Sequence, residues 1–493
     1  MARCIMVQGT MSGAGKSLLA TALCRIFRQD GLRVAPFKSQ NMALNSYITR
    51  DGLEMGRAQV AQAEAAGREP DVRMNPVLLK PSSDTGSQLI VNGEVRGQYR
   101  AAEYFKMKKS LVPEILRAYE SLAAENDVIV IEGAGSPAEI NLRDGDIVNM
   151  GLAELVSAPV LLVGDIGRGG VFAQLYGTVA LLQPEERARV VGTVINKFRG
   201  DVELLRPGLA MLEEKTGVPV LGVVPYTRAD IDDEDSLAPC LAQTQQRRPL
   251  DIAVVRLPRI SNFTDFSPLE SHPALGVRYV ERAGQLGEPD LVVLPGTKNT
   301  MGDLAWMRQN GLEAAVKKLA AAGTPVLGVC GGYQMLGTAL DDPDGVEQGG
   351  RMDGMGLLPC ATRFTGQKVR TRVQACAAAG PFAGAQLDGY EIHMGRTERG
   401  GTPPFCLLAD GTPEGAAAGN VFGTYLHGLF DTGELTEKLA AWLLACKGLS
   451  AADVRAESHA AYKERQYDLL ADAVRTAVDI AAVYRAMDAC AAK

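Results

Sequence analysis

Near its start the chain carries a glycine-rich stretch, QGTMSGAGKS at residues 8–17, between the apolar run CIMV and the segment LLATAL. This order predicts a strand, a loop and a helix, in which glycines let backbone N–H groups converge on a polyphosphate. The lysine of such a loop reaches the outer phosphates, and the serine hydroxyl binds Mg²⁺. The spacing departs from the usual pattern at one point, because the first glycine is Gly9 and the usual position holds threonine. The predicted nucleotide-binding residues of the loop are Gly9, Thr10, Ser12, Gly13, Gly15, Lys16 and Ser17.

Three more polar side chains follow apolar runs that are typical of strands, where open α/β sheets bind their ligands. Lys38 follows LRVAPF and is a candidate cation for a phosphoryl group or an anionic substrate. Glu132 follows DVIVI, and we predict that it binds Mg²⁺ together with Ser17. Asn196 begins an Asn-Lys-x-x-x-Asp pattern, from which an amide can pair with a purine edge.

The second half of the chain has a cysteine in the sequence GVCGGYQ, at a predicted turn from strand to helix. Glycines around Cys330 permit a strained backbone, as in a nucleophile elbow, and a helix N-terminus favours the thiolate. Backbone N–H groups at Gly331 and in the loop at Gly296 could form an oxyanion hole. The pattern therefore predicts a nucleophilic thiol.

A nucleophilic thiol needs a proton carrier, and the chain has four histidines. His427 lies in VFGTYLHGLF, another predicted strand end, about a hundred residues after the cysteine. His393, in YEIHMGRT, is its competitor. We predict that Cys330 and His427 form a catalytic pair.

Strands that alternate with helices predict two doubly wound α/β domains, the first with a P-loop NTPase-like parallel sheet and the second flavodoxin-like. We expect the first domain at residues 1–235, a linker at 236–250 and the second domain at 251–447. Residues 448–493 are rich in alanine and predict a helical extension without chemistry of its own. Within the first domain, residues 80–84 (KPSSD) could also face substrate.

The composition limits the function classes. A chain of 493 residues is too long for one hydrophobic core. A net charge of −7 argues against a general nucleic-acid or membrane-surface binder, and the apolar runs are shorter than a membrane span. Nine cysteines without a C-x-x-C pair indicate a reducing compartment, neither a disulfide framework nor a zinc site. We expect a cytoplasmic protein.

These motifs together resemble a known architecture. The phosphate loop, the sequence EGAG that begins at Glu132, and GVCGGYQ are similar to a dethiobiotin-synthetase-like domain fused to a class I glutamine amidotransferase domain. The sequences FKSQNM at residues 37–42, EGAGSPAEINL at 132–142 and YLHGLF at 425–430 resemble the signatures of the cobyric acid synthase family of cobalamin biosynthesis. The resemblance covers nearly the whole chain.

The resemblance implies glutamine-dependent amidation of the b, d, e and g carboxylates of adenosylcobyrinic acid a,c-diamide. Cys330 matches the nucleophile of that family, and His427 matches its catalytic histidine. The expected ligands are a corrinoid polycarboxylate, L-glutamine, ATP and Mg²⁺, without nucleic acid or membrane, and a homo-oligomer is left open. Because a carboxylate is a poor electrophile, ATP would activate it as an acyl phosphate, and ammonia would pass to it inside the protein.

Two positions depart from the related patterns. Most class I amidotransferases have glutamate two residues after the histidine, where this chain has Leu429, so Glu391 is a candidate for the orienting role. Gly167 stands where the resemblance leads us to expect aspartate.

Two alternative functions also fit the sequence. One is cobyrinic acid a,c-diamide synthase or another glutamine-dependent ligase, which the number of amides added would distinguish. The other is a partitioning-type ATPase with an inactive second domain. Partitioning ATPases carry an extra lysine early in the loop, where this chain has Met11.

Overall fold

The computed structural model describes residues 2–81, 86–232, 241, 248–451, 454 and 457–491. Most of the predicted linker at 236–250, and residues 82–84 of the KPSSD stretch, lie outside the described residues. Among the helices that the structure describes, none is long and apolar enough to cross a membrane.

The secondary-structure elements are labelled in chain order. The strands are β1 (Arg3–Gly9), β2 (Val34–Phe37), β3 (Gln40–Met42), β4 (Ser46–Ile48), β5 (Glu54–Gly56), β6 (Val77–Pro81), β7 (Gly86–Val91), β8 (Glu94–Arg100), β9 (Val128–Glu132), β10 (Val160–Asp165), β11 (Val190–Phe198), β12 (Val220–Pro225), β13 (Leu250–Val255), β14 (Leu275–Val280), β15 (Leu291–Leu294), β16 (Val326–Val329), β17 (Ala339–Asp342), β18 (Gly350–Asp353), β19 (Ala361–Ala377), β20 (Gln386–Glu398), β21 (Cys406–Leu408), β22 (Pro413–Glu414), β23 (Ala416–Ala418), β24 (Val421–Thr424) and β25 (Leu426–His427). The α-helices are α1 (Lys16–Gln29), α2 (Arg57–Ala65), α3 (Ala101–Met107), α4 (Val112–Glu125), α5 (Met150–Leu155), α6 (Val171–Leu181), α7 (Pro184–Arg187), α8 (Arg206–Thr216), α9 (Ser267–Ser271), α10 (Ala283–Leu286), α11 (Thr300–Gln309), α12 (Leu312–Ala321), α13 (Gly331–Leu336), α14 (Glu434–Cys446), α15 (His459–Ala477) and α16 (Ile480–Ala491).

The chain divides into two compact units that are not contiguous in sequence. The first unit comprises residues 1–42, 54–232 and 463–493, and the second comprises 43–53 and 233–462. These units differ from the predicted contiguous domains in two places. Residues 43–53 group with the second unit, and residues 463–493, which hold most of α15 and all of α16, group with the first.

The first unit is built on a parallel sheet in the order β12-β11-β10-β1-β9-β2. Strand β9 is buried along its whole length, as its run of valine and isoleucine predicts for a strand covered on both faces. Because β1 lies between β9 and β10, the loops that follow these three strands share one edge of the sheet. The predicted doubly wound fold is confirmed here.

Helix α15 shows why the C-terminal residues join the first unit. Its buried side chains Tyr467, Leu470 and Val474 recur at helical spacing, so they form one apolar stripe. This stripe lies in the same hydrophobic core as Ile5 and Val7 of β1. The predicted helical extension is therefore part of the first unit's core.

The second unit contains a sheet in the order β14-β13-β15-β16-β24-β23, parallel except for the antiparallel edge strand β23. A further sheet runs β18-β17-β19-β20-β25, with β21 and β22 attached through β19. Strands β13, β15 and β16 are buried at nearly every residue. The second predicted α/β domain is thus confirmed, and the ends of β13, β15 and β16 supply its candidate site.

Candidate active sites

The phosphate loop has the geometry that its glycines predict. It joins β1 to α1, and Gly13 and Gly15 have φ values of +74° and +97°, in the left-handed region that favours glycine. The structure explains why the first glycine of the loop stands at position 9. A Cβ atom there would lie 3.0 Å from Cγ of Lys16. The shifted glycine leaves room for the lysine stem, while Ser12 is exposed at the mouth of the loop.

The predicted Mg²⁺ ligands lie together at the sheet edge. The Ser17 hydroxyl donates a hydrogen bond of 2.8 Å to Oε1 of Glu132, and Nζ of Lys38 donates to the same oxygen at 3.0 Å. Nζ of Lys16 donates to the carbonyls of Met11 and Gly135 at 3.1 and 3.0 Å. A hydroxyl and a carboxylate are hard oxygen ligands of the kind Mg²⁺ prefers, and the two lysines suit phosphate oxygens.

Asn196 contacts the phosphate loop in this structure. Its Nδ2 donates to the carbonyl of Ala14 at 3.1 Å, and its Oδ1 accepts from the N–H of Lys197 at 2.8 Å. A Cβ atom at Gly15 would lie 2.0 Å from Nδ2 of Asn196, so this packing requires glycine. In this conformation the Asn196 amide supports the loop backbone.

Two other features of the loop region bear on the sequence predictions. The Thr10 hydroxyl donates to Oε1 of Gln174 at 3.1 Å, so this residue ties the loop to α6. Gly167, which stands in the place of an expected aspartate, donates its N–H to Asp165 at 2.7 Å. The carboxylate at this turn is therefore Asp165, which also pairs with Lys197 at 2.9 Å.

Cys330 occupies a strained turn between β16 and α13. Its φ of +51° and ψ of −107° are unfavourable for a side chain, and such strain persists at sites that use it. Glycine is required beside it, because a Cβ atom at Gly332 would lie 1.9 Å from the carbonyl of Leu294. The backbone of this turn has the geometry that a nucleophile elbow requires, and the nucleophilic role of Cys330 stays a prediction.

His427 lies at the end of β25 and pairs with a carboxylate that the sequence did not indicate. Its Nδ1 lies 2.6 Å from Oδ2 of Asp265, and the other carboxylate oxygen accepts the N–H of Gly428 at 2.9 Å. Both side chains are almost fully buried. Burial opposes protonation of the imidazole, but Asp265 and Cys330 outweigh it and raise the pKa of His427 to about 10.

The structure corrects the assignment of the orienting carboxylate. Asp265 lies after β13 in a short 3₁₀ helix (Phe263–Phe266), whereas Glu391 lies within β20, where it pairs in register with Leu426. Leu429, at the usual glutamate position, is fully buried in the hydrophobic core. A polar residue after a buried strand is the only sequence signal that could have indicated Asp265, and that signal is weak.

The other candidate residues of this unit lie near the pair. His393 stacks on Tyr425 with ring centroids 3.7 Å apart, and burial lowers its pKa to about 4, so it is neutral near pH 7. A Cβ atom at Gly296 would lie 3.1 Å from Cε1 of His427, and one at Gly331 would lie 2.6 Å from Cγ2 of Thr297. Of the two predicted oxyanion glycines, Gly296 therefore lies next to the His427 ring, and Gly331 lies next to Thr297 in the Gly296 loop.

Comparison with known proteins matches both units. Residues 5–239 match the CobQ/CobB/MinD/ParA nucleotide binding domain family, and residues 251–435 match the CobB/CobQ-like glutamine amidotransferase domain family. The cobyric acid synthase of Ruminiclostridium cellulolyticum is 58% identical over 99% of this chain and 98% of that protein. The cobyric acid synthases of Lachnoclostridium phytofermentans and Klebsiella pneumoniae are 52% and 53% identical, each over 99% of this chain and 99% and 98% of those proteins.

The two matched domains and the full-length similarity agree with the sites described above. One unit matches a nucleotide binding domain and carries the glycine-rich loop, and the other matches an amidotransferase domain and carries Cys330 after β16 and His427 at the end of β25. The chain therefore belongs to the cobyric acid synthase family, the ATP-coupled, glutamine-dependent amidoligases of cobalamin biosynthesis.

Proposed function

We propose that this chain amidates the b, d, e and g carboxylates of adenosylcobyrinic acid a,c-diamide, using ammonia from glutamine and energy from ATP. One observation carries the proposal. A buried Cys-His-Asp arrangement and a phosphate loop with a carboxylate partner occur in one chain that resembles cobyric acid synthases along its whole length. A nucleotide site alone would not need the Cys-His-Asp arrangement, and a glutaminase site alone would not need the phosphate loop.

In the first half-reaction, an oxygen of the substrate carboxylate attacks the γ-phosphorus of ATP, forming an acyl phosphate and releasing ADP. Lys16 and Lys38 stabilise the negative charge on the phosphoryl oxygens, and the loop N–H groups hold the nucleotide. Ser17 and Glu132 would hold Mg²⁺, which supplies further neutralisation of that charge. The contact of Lys38 with Glu132 supports this role for Lys38.

In the second half-reaction, the Cys330 thiolate attacks the amide carbon of glutamine. N–H groups at Gly331 and Gly296 stabilise the oxyanion, and protonated His427 gives its proton to the departing ammonia. Water then hydrolyses the thioester to glutamate and restores the thiol. Asp265 fixes the imidazole orientation and favours its charged form, because it accepts from Nδ1.

Ammonia finally attacks the acyl phosphate carbon, forming an amide and releasing phosphate. The same two half-reactions, repeated at each carboxylate, yield the fully amidated product. This cycle consumes one ATP and one glutamine per amide.

The test is mass spectrometry of the a,c-diamide after incubation with the protein, ATP, Mg²⁺ and glutamine. Four sequential conversions of acid to amide, with one ADP formed for each, support the proposal. A matched sample with cobyrinic acid as substrate distinguishes the alternative diamide synthase, which would add two amides to it. Glutaminase activity without any corrinoid product would contradict the proposed substrate.

A further inference from the structure

Residues 43–53 form an insertion from the N-terminal half of the chain into the second unit. Within that unit, three consecutive residues of β4 meet one tyrosine. The Ser46 carbonyl accepts from the Tyr390 hydroxyl at 3.0 Å, the Tyr47 ring meets the Tyr390 ring edge-on at 5.5 Å, and Ile48 packs against it. The insertion therefore determines how Tyr390 is held.

Tyr390 in turn contacts the predicted catalytic histidine. Its ring stacks on the imidazole of His427, with centroids 5.5 Å apart and planes 25° apart. In the register of the sheet, Tyr390 of β20 also pairs directly with His427 of β25. A shift of the Tyr390 ring would therefore change the surface on which the His427 imidazole packs.

Asn262 connects the same insertion to the loop that carries Asp265. Its Nδ2 donates to the Ser46 carbonyl at 3.2 Å and to the Tyr390 hydroxyl at 3.0 Å, and its Oδ1 faces the Ser46 N–H at 3.4 Å. The side chain thus satisfies the Ser46 backbone as a neighbouring strand would. Asp265 lies three residues later in the same loop and donates its N–H to the Asn262 carbonyl at 3.0 Å.

Two local features indicate that this arrangement is more than ordinary packing. Asn262 has φ of +53°, in the left-handed region that most side chains avoid and that asparagine tolerates better than they do. Among the described residues, neither amide atom of buried Asn45 has a hydrogen-bond partner, which is unfavourable for folding. One of these unfavourable features lies in the insertion, at Asn45, and the other lies in the segment that contacts it, at Asn262.

We propose that Asn262 and Tyr390 are positioning residues for His427, and that the Ser46 backbone of the inserted segment fixes both of them. The segment sets the glutaminase rate through this cluster. The inference rests on the proposed function, because it takes Cys330 and His427 as the groups that hydrolyse glutamine. The chain enters the segment directly from residues 38–42, which include Lys38 of the phosphate site.

The test compares Tyr390→Phe, which keeps the ring and removes the hydroxyl, with Asn262→Gly, which keeps the positive φ and removes the amide. With ATP, Mg²⁺ and corrinoid present, kcat for glutamate release should fall about tenfold in each variant, because a small misplacement of a catalytic group is costly. The KM for glutamine should change less than about threefold, since neither residue is proposed to bind it. The matched control is Tyr279→Phe, which removes a buried hydroxyl that donates to Glu270 at 2.8 Å elsewhere in the unit.

A second readout separates positioning from general destabilisation. If the cluster holds His427 against Asp265, the basic limb of the glutaminase pH profile should move to lower pH in both variants and stay fixed in the control. Amidation supported by ammonium salts should be unchanged, which also shows that the variants fold. Unchanged kcat and pH profile in both variants, or an equal loss in Tyr279→Phe, would overturn the inference.

The same variants distinguish this inference from the proposed function. Alkylation of Cys330 by a chloroketone analogue of glutamine reports on the thiol site without any corrinoid. Slower alkylation in Tyr390→Phe and Asn262→Gly supports positioning even if the corrinoid is not a substrate. Alkylation at the wild-type rate, together with normal glutamate release, contradicts it even if corrinoid amidation is complete.

Discussion

The two candidate sites both lie at strand ends, but they are assembled differently. The candidate phosphate site takes Lys16 and Ser17 from the first turn of α1, directly after the glycine-rich loop, with Glu132 from the adjacent strand end. The candidate glutaminase site takes Cys330 from the turn before α13, Asp265 from a 3₁₀ turn after β13 and His427 from the end of β25, and it buries the histidine and its carboxylate. A phosphate site requires local backbone geometry, whereas a proton-transfer site requires tertiary assembly in a low-dielectric interior.

The largest expected effect separates the two sites by removing the nucleophile. Cys330→Ala should lower glutamine-dependent amidation on the order of 10⁴-fold or more, because no thioester can form. Amidation supported by ammonium salts should persist, since the phosphate site is untouched. The measurement is product formation with each nitrogen source, and loss of both activities in a folded variant would contradict the separation. Cys446→Ala, at an exposed thiol, is the control.

The converse change breaks the phosphate site. Glu132→Gln removes the charge that faces Ser17 and Lys38, and it should lower amidation roughly 10³-fold with glutamine and with ammonium alike. Its apparent affinity for Mg²⁺, measured by titration of the activity, should also weaken. Glu214→Gln, at an exposed position on α8, should behave as wild type. If Glu132→Gln lowers only the glutamine-dependent reaction, the assignment of Glu132 to the phosphate site is wrong.

A smaller effect is expected at the orienting carboxylate. Asp265→Asn should lower glutaminase kcat roughly 10²-fold, because the imidazole loses the partner that orients and charges it. Burial then dominates, so the pKa of His427 should fall from about 10. The sign follows directly, since the protonated form is lost at lower pH and the basic limb of the profile moves down. Asp410→Asn, at an exposed carboxylate that accepts the N–H of Thr412 at 2.9 Å, is the control.

The smallest effect concerns stability in the second unit. Burial raises the pKa of Glu414 from 4.5 to about 7, although Tyr425 N–H and the Thr424 hydroxyl donate to it. The folded protein therefore holds this proton more tightly than the unfolded chain, so the group's contribution to stability falls as pH rises from about 4.5 to 7. In Glu414→Gln that part of the pH dependence of Tm should disappear. If Tm changes with pH equally in the wild type and in Glu414→Gln, Glu414 does not hold the proton assigned to it.

The sequence was most informative where the chemistry is local. The pairing of Ser17 with Glu132 follows from a loop after β1 and a carboxylate at the end of β9, because neighbouring parallel strands end at one edge. Cys330 and His427 were predicted because each lies beside glycines at a predicted strand end of the second domain, and their catalytic pairing stays a prediction. The two α/β sheets were predicted from apolar runs that alternate with helical segments.

The sequence was least informative where distant segments meet. Asp265 lies 162 residues before His427, in a 3₁₀ helix too short to show periodicity in the sequence. The glutamate position of related enzymes holds the core residue Leu429. The insertion at 43–53 and the docking of α15 are also long-range. The apolar stripe of α15 was visible in the sequence, but a stripe does not name the surface that it covers.

The most direct test of the account is an isotope competition in the complete reaction. The protein, ATP, Mg²⁺ and the a,c-diamide are incubated with amide-¹⁵N glutamine and an excess of unlabelled ammonium salt, at a pH near 7 where free ammonia is scarce. If the two sites act as one enzyme, the new amides should carry ¹⁵N. New amides that contain only unlabelled nitrogen, while glutamine is hydrolysed at the normal rate, would contradict the claim that the glutaminase site supplies the synthetase site.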